Sequence, residues 1–374
     1  MTEQFFGKTI GKLGYGNMRL PRIDGKLDYA TINKMIDTYM EAGFTYIDTC
    51  HTYEASEKAL GETLVQRYPR DSYELNTKLS FLYVKSAGDM QKQFDESRRR
   101  LGLEYIDFYF LHALSSQNIE DVEKFDGWGF LHRLKEKGDV KHIGFSFHDT
   151  PEVLDDILSK HPETELVLLQ LNYLDWDDPK VQSRRLYETA RKYNVPMSVM
   201  EPCKGGWLAS ELSESGKFLR AANPEVSAAS WAFRFLAELE GIHSVLSGMG
   251  TVAEVEDNVK TFKEDKPLSE KEHELIKKAV EIIRKTPSIP CTDCQYCVKH
   301  CPSEINIPHA LQIYNNHLIY DDLGSLKHLV FIMGITSNRP QDCVKCGACE
   351  KVCPQHIGIS DYMEVITGLT GIIN

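Results

Sequence analysis

The chain has 374 residues, of which 42% are hydrophobic and 26% charged, the balance of an ordinary globular protein with room for a large core and two or three domains. Its formal net charge of −12 excludes a surface built for nucleic acid or anionic membrane, because either partner would repel it at long range. No stretch reaches the roughly 18 uncharged apolar residues of a membrane span, and the first residues lack the basic start and apolar run of a signal peptide, so the expected location is cytoplasmic.

From about residue 13 to 260, short β-branched or aromatic runs alternate with longer segments of helical period, the pattern of parallel strands joined by crossover helices. Strands are expected at 13–16, 45–49, 73–78, 105–112, 142–147, 166–173, 196–201 and 244–249. A helix over 28–41 ends at Gly43, and Thr150 followed by Pro151 is a natural helix start. Eight such units close a (β/α)8 barrel, an α/β fold, over residues 1–265. An open doubly wound sheet reads similarly, but the first turn, Gly14-Tyr-Gly-Asn-Met-Arg19, lacks the third glycine of a dinucleotide fingerprint. Residues 266–287 read as a charged helical linker, and 288–374 as a small, mainly α-helical ferredoxin-like domain.

Eight of the ten cysteines lie in that last segment. Cys291, Cys294, Cys297 and Cys301, the last followed by Pro302, form a run that recurs as Cys343, Cys346, Cys349 and Cys353 with Pro354. This is the bacterial two-cluster spacing, in which three thiolates wrap one cuboidal cluster and the fourth serves the neighbouring one. The expected sets are therefore Cys291, Cys294, Cys297 and Cys353 for one [4Fe-4S] cluster, and Cys343, Cys346, Cys349 and Cys301 for the other. Paired Cys-x-x-Cys units also make zinc sites, but zinc does not account for the third cysteine or the proline. The insert between the runs is longer than in compact ferredoxins and resembles the α-helical ferredoxin type of electron-transfer subunits. Cys50 and Cys203 fall outside the runs and read as small buried hydrophobes.

Catalytic side chains of such barrels sit at the C-terminal ends of strands. There the chain places Asp48, Tyr53, Lys78 and His112. A tyrosine, with its reference pKa of ~10, becomes a better acid beside an ammonium group. Lys78 suits that role, Asp48 holds Lys78 charged, and His112 can orient a substrate carbonyl. In order and strand position these four resemble the catalytic tetrad of the aldo/keto reductases. The resemblance runs along about 250 residues and includes 13–21, 43–49, 97–112 and Gln170-x-Asn172-Tyr173. With the cysteine module, the whole chain resembles iron-sulfur-bearing members of that family.

The resemblance implies reversible conversion of a small carbonyl substrate to an alcohol, with Tyr53 as general acid. It also implies a nicotinamide held by Ser146, Gln170, Asn172 and the segment Met200, Glu201, Pro202, Cys203 and Lys204. The adenosine side would fall on Ser247, Gly248, Met249, Gly250, Asp257 and Asn258. No basic residue follows strand eight, and Glu254 would repel a 2′-phosphate, so the cofactor call is NAD(H) or NADP(H) with a lean towards NADH. One-electron clusters do not exchange readily with a hydride carrier, which leaves them an electron-transfer, sensing or structural role and admits a flavin- or iron-sulfur-containing redox protein as partner. The alternative class is an electron-transfer or assembly protein whose barrel is a scaffold.

Overall fold

A computed structural model describes residues 4–9, 11–53, 55–286, 288–320 and 323–371. Eight parallel strands form a closed barrel: β1 (Leu13–Gly16), β2 (Tyr46–Asp48), β3 (Glu74–Ser80), β4 (Ile106–Leu114), β5 (Val140–Phe147), β6 (Leu166–Gln170), β7 (Met197–Met200) and β8 (Ile242–Ser247). They run in chain order around the wall, and β8 pairs with β1 through Val245 and Leu13. All eight expected strands are present, with ends shifted by up to a few residues. The seam between β5 and β6 requires a glycine: a Cβ on Gly144 would lie 1.9 Å from the Leu166 carbonyl oxygen.

Successive side chains of a strand point to opposite faces, and one parity faces the barrel axis. Tyr46, Phe108, Phe110, Leu166, Leu168 and Leu246 pack together as an interior cluster. Burying each aromatic ring contributes roughly 1.5–3 kcal/mol. The same parity carries Asp48 on β2, Lys78 on β3, His112 on β4 and Gln170 on β6, one or two steps nearer the C-terminal mouth. Outward-facing residues such as Tyr109, Phe145 and Leu169 meet the surrounding helices in the main core. The opposite end is closed by a short hairpin pairing Gln4–Phe5 with Lys8–Thr9. At its turn Phe6 lies with its ring 5.2 Å from Phe108 and 4.3 Å from His142.

The helix Glu270–Lys285, read from sequence as a linker, packs on the barrel. Ile276 and Ala279 belong to the main core, and Arg234 makes a two-pronged pair with Glu272 at 2.7 and 3.0 Å. Ser269 and Glu272 form a capping box at its start. The C-terminal module follows, with helices Ile307–Tyr320, Leu323–Thr336 and Ile359–Thr370 around a separate core that includes Cys297 and Cys349. Among the described residues no helix is long and apolar enough to cross a membrane. The module is seated on the C-terminal mouth of the barrel, which places both sets of motifs in one region.

His243 lies at the closed end against Phe5, Tyr46 and Phe108, and among the described residues neither ring nitrogen has a hydrogen-bond partner. Burial lowers its pKa to about 3, against roughly 6.5 in the unfolded chain. A depressed histidine pKa means that the unfolded state binds the proton first as pH falls below about 6.5, so stability is lost on acidification at up to ~1.4 kcal/mol per pH unit. Replacing His243→Phe is expected to remove about 2 kcal/mol of the stability difference between pH 7 and pH 5. Urea midpoints of both proteins at the two pH values measure this; an equal acid loss in the variant refutes it.

Candidate active site

At the mouth, Lys78 is fully buried and Asp48 is 3% exposed. The Lys78 ammonium donates to both Asp48 oxygens at 2.9 and 2.7 Å and to the Thr49 carbonyl at 2.6 Å. Asn76 adds a bond to Asp48 at 2.8 Å. Burial pushes the Asp48 carboxyl up, while Lys78 and these donors pull it down. A lysine has three N–H donors, and all three are taken. Lys78 therefore has no donor left for the Tyr53 oxygen; it stands 5.4 Å from the centre of the Tyr53 ring.

Burial raises the Tyr53 pKa well above its usual value, assisted by Tyr296, Cys50, Asp48 and Glu201. Burial thus dominates at Tyr53, whose phenol keeps its proton across the neutral range, and Lys78 acts on it from below the ring and not through a hydrogen bond. Its ring centroid is 6.2 Å from that of His112. Burial, then Lys78 and His148, depresses His112 strongly, so the imidazole is neutral. Cys50, pushed up to about 11 by burial, is a thiol 3.3 Å from His112 Nδ1. Cys50, expected as a small buried hydrophobe, is fully buried and also meets the histidine.

His112 Nε2 lies 3.3 Å from the hydroxyl of Tyr296, a residue between Cys294 and Cys297. Tyr53, His112, Tyr296, Cys294 and Cys353 line one cavity of about 1190 Å³. The cysteine module thus forms one wall of the barrel's pocket. Arg19 donates to the Thr292 carbonyl, and Gly205, at φ +65°, lets Thr292 approach so closely that a Cβ would sit 2.7 Å from its Cα.

The residues expected to hold a nicotinamide make the following contacts within the chain. Gln170 and Gln355 exchange two hydrogen bonds between their side-chain amides, at 3.3 and 3.1 Å. Lys204, 3% exposed, binds Asp175 at 2.5 Å and Gln355 at 2.7 Å. Asn172 donates to Asp175 and to the Glu201 carbonyl, and the Ser146 hydroxyl accepts the Ala113 N–H at 2.7 Å. The Glu201 carboxylate takes the Gly205 N–H. Pro202 is buried, Met200 packs against the barrel interior, and Cys203 packs against the main core.

At the adenosine side, the exposed Glu254 accepts the Gly250 N–H at 2.6 Å while its own N–H goes to Thr251, a local cap on that helix start. Ser247 accepts from Asn258 and Asp257 from Ser227; Met249 is buried and Gly248 exposed. In this arrangement the amide of Gln355 occupies the Gln170 and Lys204 side chains, and Glu254 occupies the Gly250 N–H. Tyr296, Gln355 and Asp175 were not singled out from sequence; nothing in a cysteine loop or after a Cys-Pro signals contact with a distant strand end.

The thiols gather into two sets. Cys291, Cys294, Cys297 and Cys353 line one small cavity, and Cys301, Cys343, Cys346 and Cys349 another. In each run the residues flanking the middle cysteine, Asp293 and Gln295 or Lys345 and Gly347, have positive φ, which curls the loop so that its thiols converge. Among the described residues no three metal-binding side chains close on a single ion. Each set brings together the four thiolates that a [4Fe-4S] cluster needs.

Residues 12–281 match the aldo/keto reductase family and residues 290–357 match the 4Fe-4S dicluster domain. Aldo-keto reductase str7 of Strobilurus tenacellus is 26% identical over 274 residues, covering 67% of this chain and 78% of that protein. The aryl-alcohol dehydrogenase [NADP(+)] of Phanerodontia chrysosporium is 30% identical over 38% of this chain and 40% of its own length. Among solved structures, an aldo/keto reductase from Klebsiella pneumoniae in complex with NADP and acetate superposes with a TM-score of 0.60 at 18% identity, covering 74% of this chain and 94% of that one. A holo aldo-keto reductase from Bacillus halodurans gives 0.59 at 21%, covering 74% and 95%. At these identities the likeness shows the fold. The match across the whole barrel places the chain in the aldo/keto reductase family, as a member that carries a C-terminal 4Fe-4S dicluster domain.

Proposed function

We propose that the chain interconverts a small carbonyl compound and the corresponding alcohol, with Tyr53 donating the proton to the carbonyl oxygen. The observation that carries this reading is the pairing, on one cavity wall, of a protonated Tyr53 with a neutral His112 above the buried Lys78–Asp48 pair. Neutral His112 orients the carbonyl oxygen by hydrogen bonding, and the nearby ammonium of Lys78 stabilises negative charge that develops on that oxygen or on the phenol. Asp48 keeps Lys78 charged and fixed. Burial of these groups excludes bulk water and strengthens each of those interactions.

The two thiol sets are assigned two [4Fe-4S] clusters, which when bound supply one-electron redox groups and tie the two cysteine runs together. Each set draws one thiol from the other run, so the loops are cross-linked through their ligands. The module also contributes Tyr296 to the pocket. A small-molecule pocket with its proton donor intact favours an enzyme over a scaffold.

Substituting Tyr53→Phe is expected to lower carbonyl turnover by ~10²–10⁴-fold while leaving thermal stability close to that of the parent; unchanged turnover across a panel of aldehydes and ketones refutes the role. The reduction rate should be level between about pH 6 and 9, because Tyr53 stays protonated and His112 neutral over that window. A break in the pH–rate profile there would count against this assignment. Anaerobic protein should contain about eight iron atoms per chain. Cys353→Ser is expected to perturb the electron paramagnetic resonance signal of the cluster otherwise held by the first run, and Cys301→Ser that of the second; the reverse pattern shows that the thiols are not shared between runs.

A further inference from the structure

In the assembled chain the amide subsite expected for a nicotinamide is filled by a side chain of the C-terminal module. Gln355, 4% exposed, presents a primary amide to Gln170 through two hydrogen bonds and takes a third from Lys204. It thereby satisfies the groups that would otherwise meet a nicotinamide carboxamide. At the other end the exposed Glu254 caps the Gly250 N–H, and that carboxylate has to turn away before a phosphate can take the same N–H. In the same region, Cys294 and Cys353 line the cavity that holds Tyr53 and His112, with Tyr296 bridging the thiol loop to His112. The second thiol set reaches the surface, where Cys346 is exposed.

We propose that the carbonyl site is supplied with electrons singly, through the C-terminal module, and that no nicotinamide dinucleotide enters the assembled protein. The proposal rests on the carbonyl–alcohol reading above. Reduction breaks the C=O π bond and adds two electrons and two protons: the oxygen takes the Tyr53 proton, the carbon takes a proton from cavity water, and water restores Tyr53. The two electrons come from a reduced one-electron carrier protein of the ferredoxin or flavodoxin class, which is oxidised twice per turnover and docks at the exposed thiol set. Single-electron delivery passes through a substrate radical, so the substrate is a carbonyl conjugated to an aryl ring or a double bond, over which the unpaired electron spreads.

The test uses the anaerobic, iron-loaded full chain. NADH and NADPH are titrated against it to about 1 mM, the top of the usual KM range, with nucleotide fluorescence as the readout; no saturable change is expected. Separately, dithionite-reduced, desalted protein is mixed with benzaldehyde or cinnamaldehyde, and its electron paramagnetic resonance spectrum is followed. The reduced signal is expected to vanish with about one alcohol formed per chain, two clusters yielding one electron each. Saturable nucleotide binding overturns the proposal, and so does a reduced signal that survives both aldehydes. In the same assay, Tyr53→Phe separates the two readings: reoxidation that remains as fast as in the parent removes Tyr53 from its role while leaving the electron route standing, whereas nucleotide binding removes the route and leaves Tyr53 in place.

Discussion

The buried ion pair between Lys78 and Asp48 is the constraint around which the barrel mouth is organised. Two charges withdrawn from water are tolerated only when every donor and acceptor is matched, and here they are, by Asn76 and the Thr49 carbonyl as well as by each other. The pair ties β2 to β3 and holds the start of the following loop, the loop that carries Cys50 and Tyr53. It leaves a cation beneath the Tyr53 ring without a direct bond to the phenol. The geometry of the mouth and the pairing of these strands are therefore held by the same set of contacts, and loss of one partner would leave a lone charge in the protein interior at a cost of about 3–5 kcal/mol.

Above that pair, a second polar cluster joins the two modules. Asp175, Lys204, Gln170 and Gln355 are each under 5% exposed and share hydrogen bonds among themselves. A buried network of this kind specifies one docking geometry, because any other would strand charged or amide groups without partners. It explains how a small helical module, with a core of its own, can be held in register over a barrel. The consequence for chemistry is that Tyr296 and two cluster thiols become part of the pocket wall.

Much of this was legible from residue patterns. The alternation of strand and helix signals located all eight strands, because the period of side-chain burial is set locally by backbone geometry. The spacing of the cysteine runs pointed to the pairing of Cys353 with the first set and Cys301 with the second, since a tight loop positions three thiols and the Cys-Pro turn sends the fourth elsewhere. Asp48, Lys78 and His112 were recognisable as a group from their positions at successive strand ends. Less legible were the balances of interaction at each group. Lys78 was expected beside Tyr53, but whether an ammonium has a hydrogen bond to spare for a phenol depends on every acceptor within its reach. Cys50 gained a partner in His112 through strands separated by more than fifty residues. The helix Glu270–Lys285 read as a linker from its charge, although Ile276 and Ala279 on one face bury it against the barrel.

What the amino-acid order determined by itself is the inventory of this protein: a barrel with a tyrosine, lysine, aspartate and histidine at its mouth, and a module with two cysteine runs. Those features follow from short-range periodicity and spacing, which neighbouring residues enforce. Only the tertiary structure decided that the module sits on that mouth, that Gln355 pairs with Gln170, and that Tyr296 meets His112. Those contacts join residues up to 185 positions apart, and their formation depends on the complementarity of two whole surfaces, which no local pattern encodes.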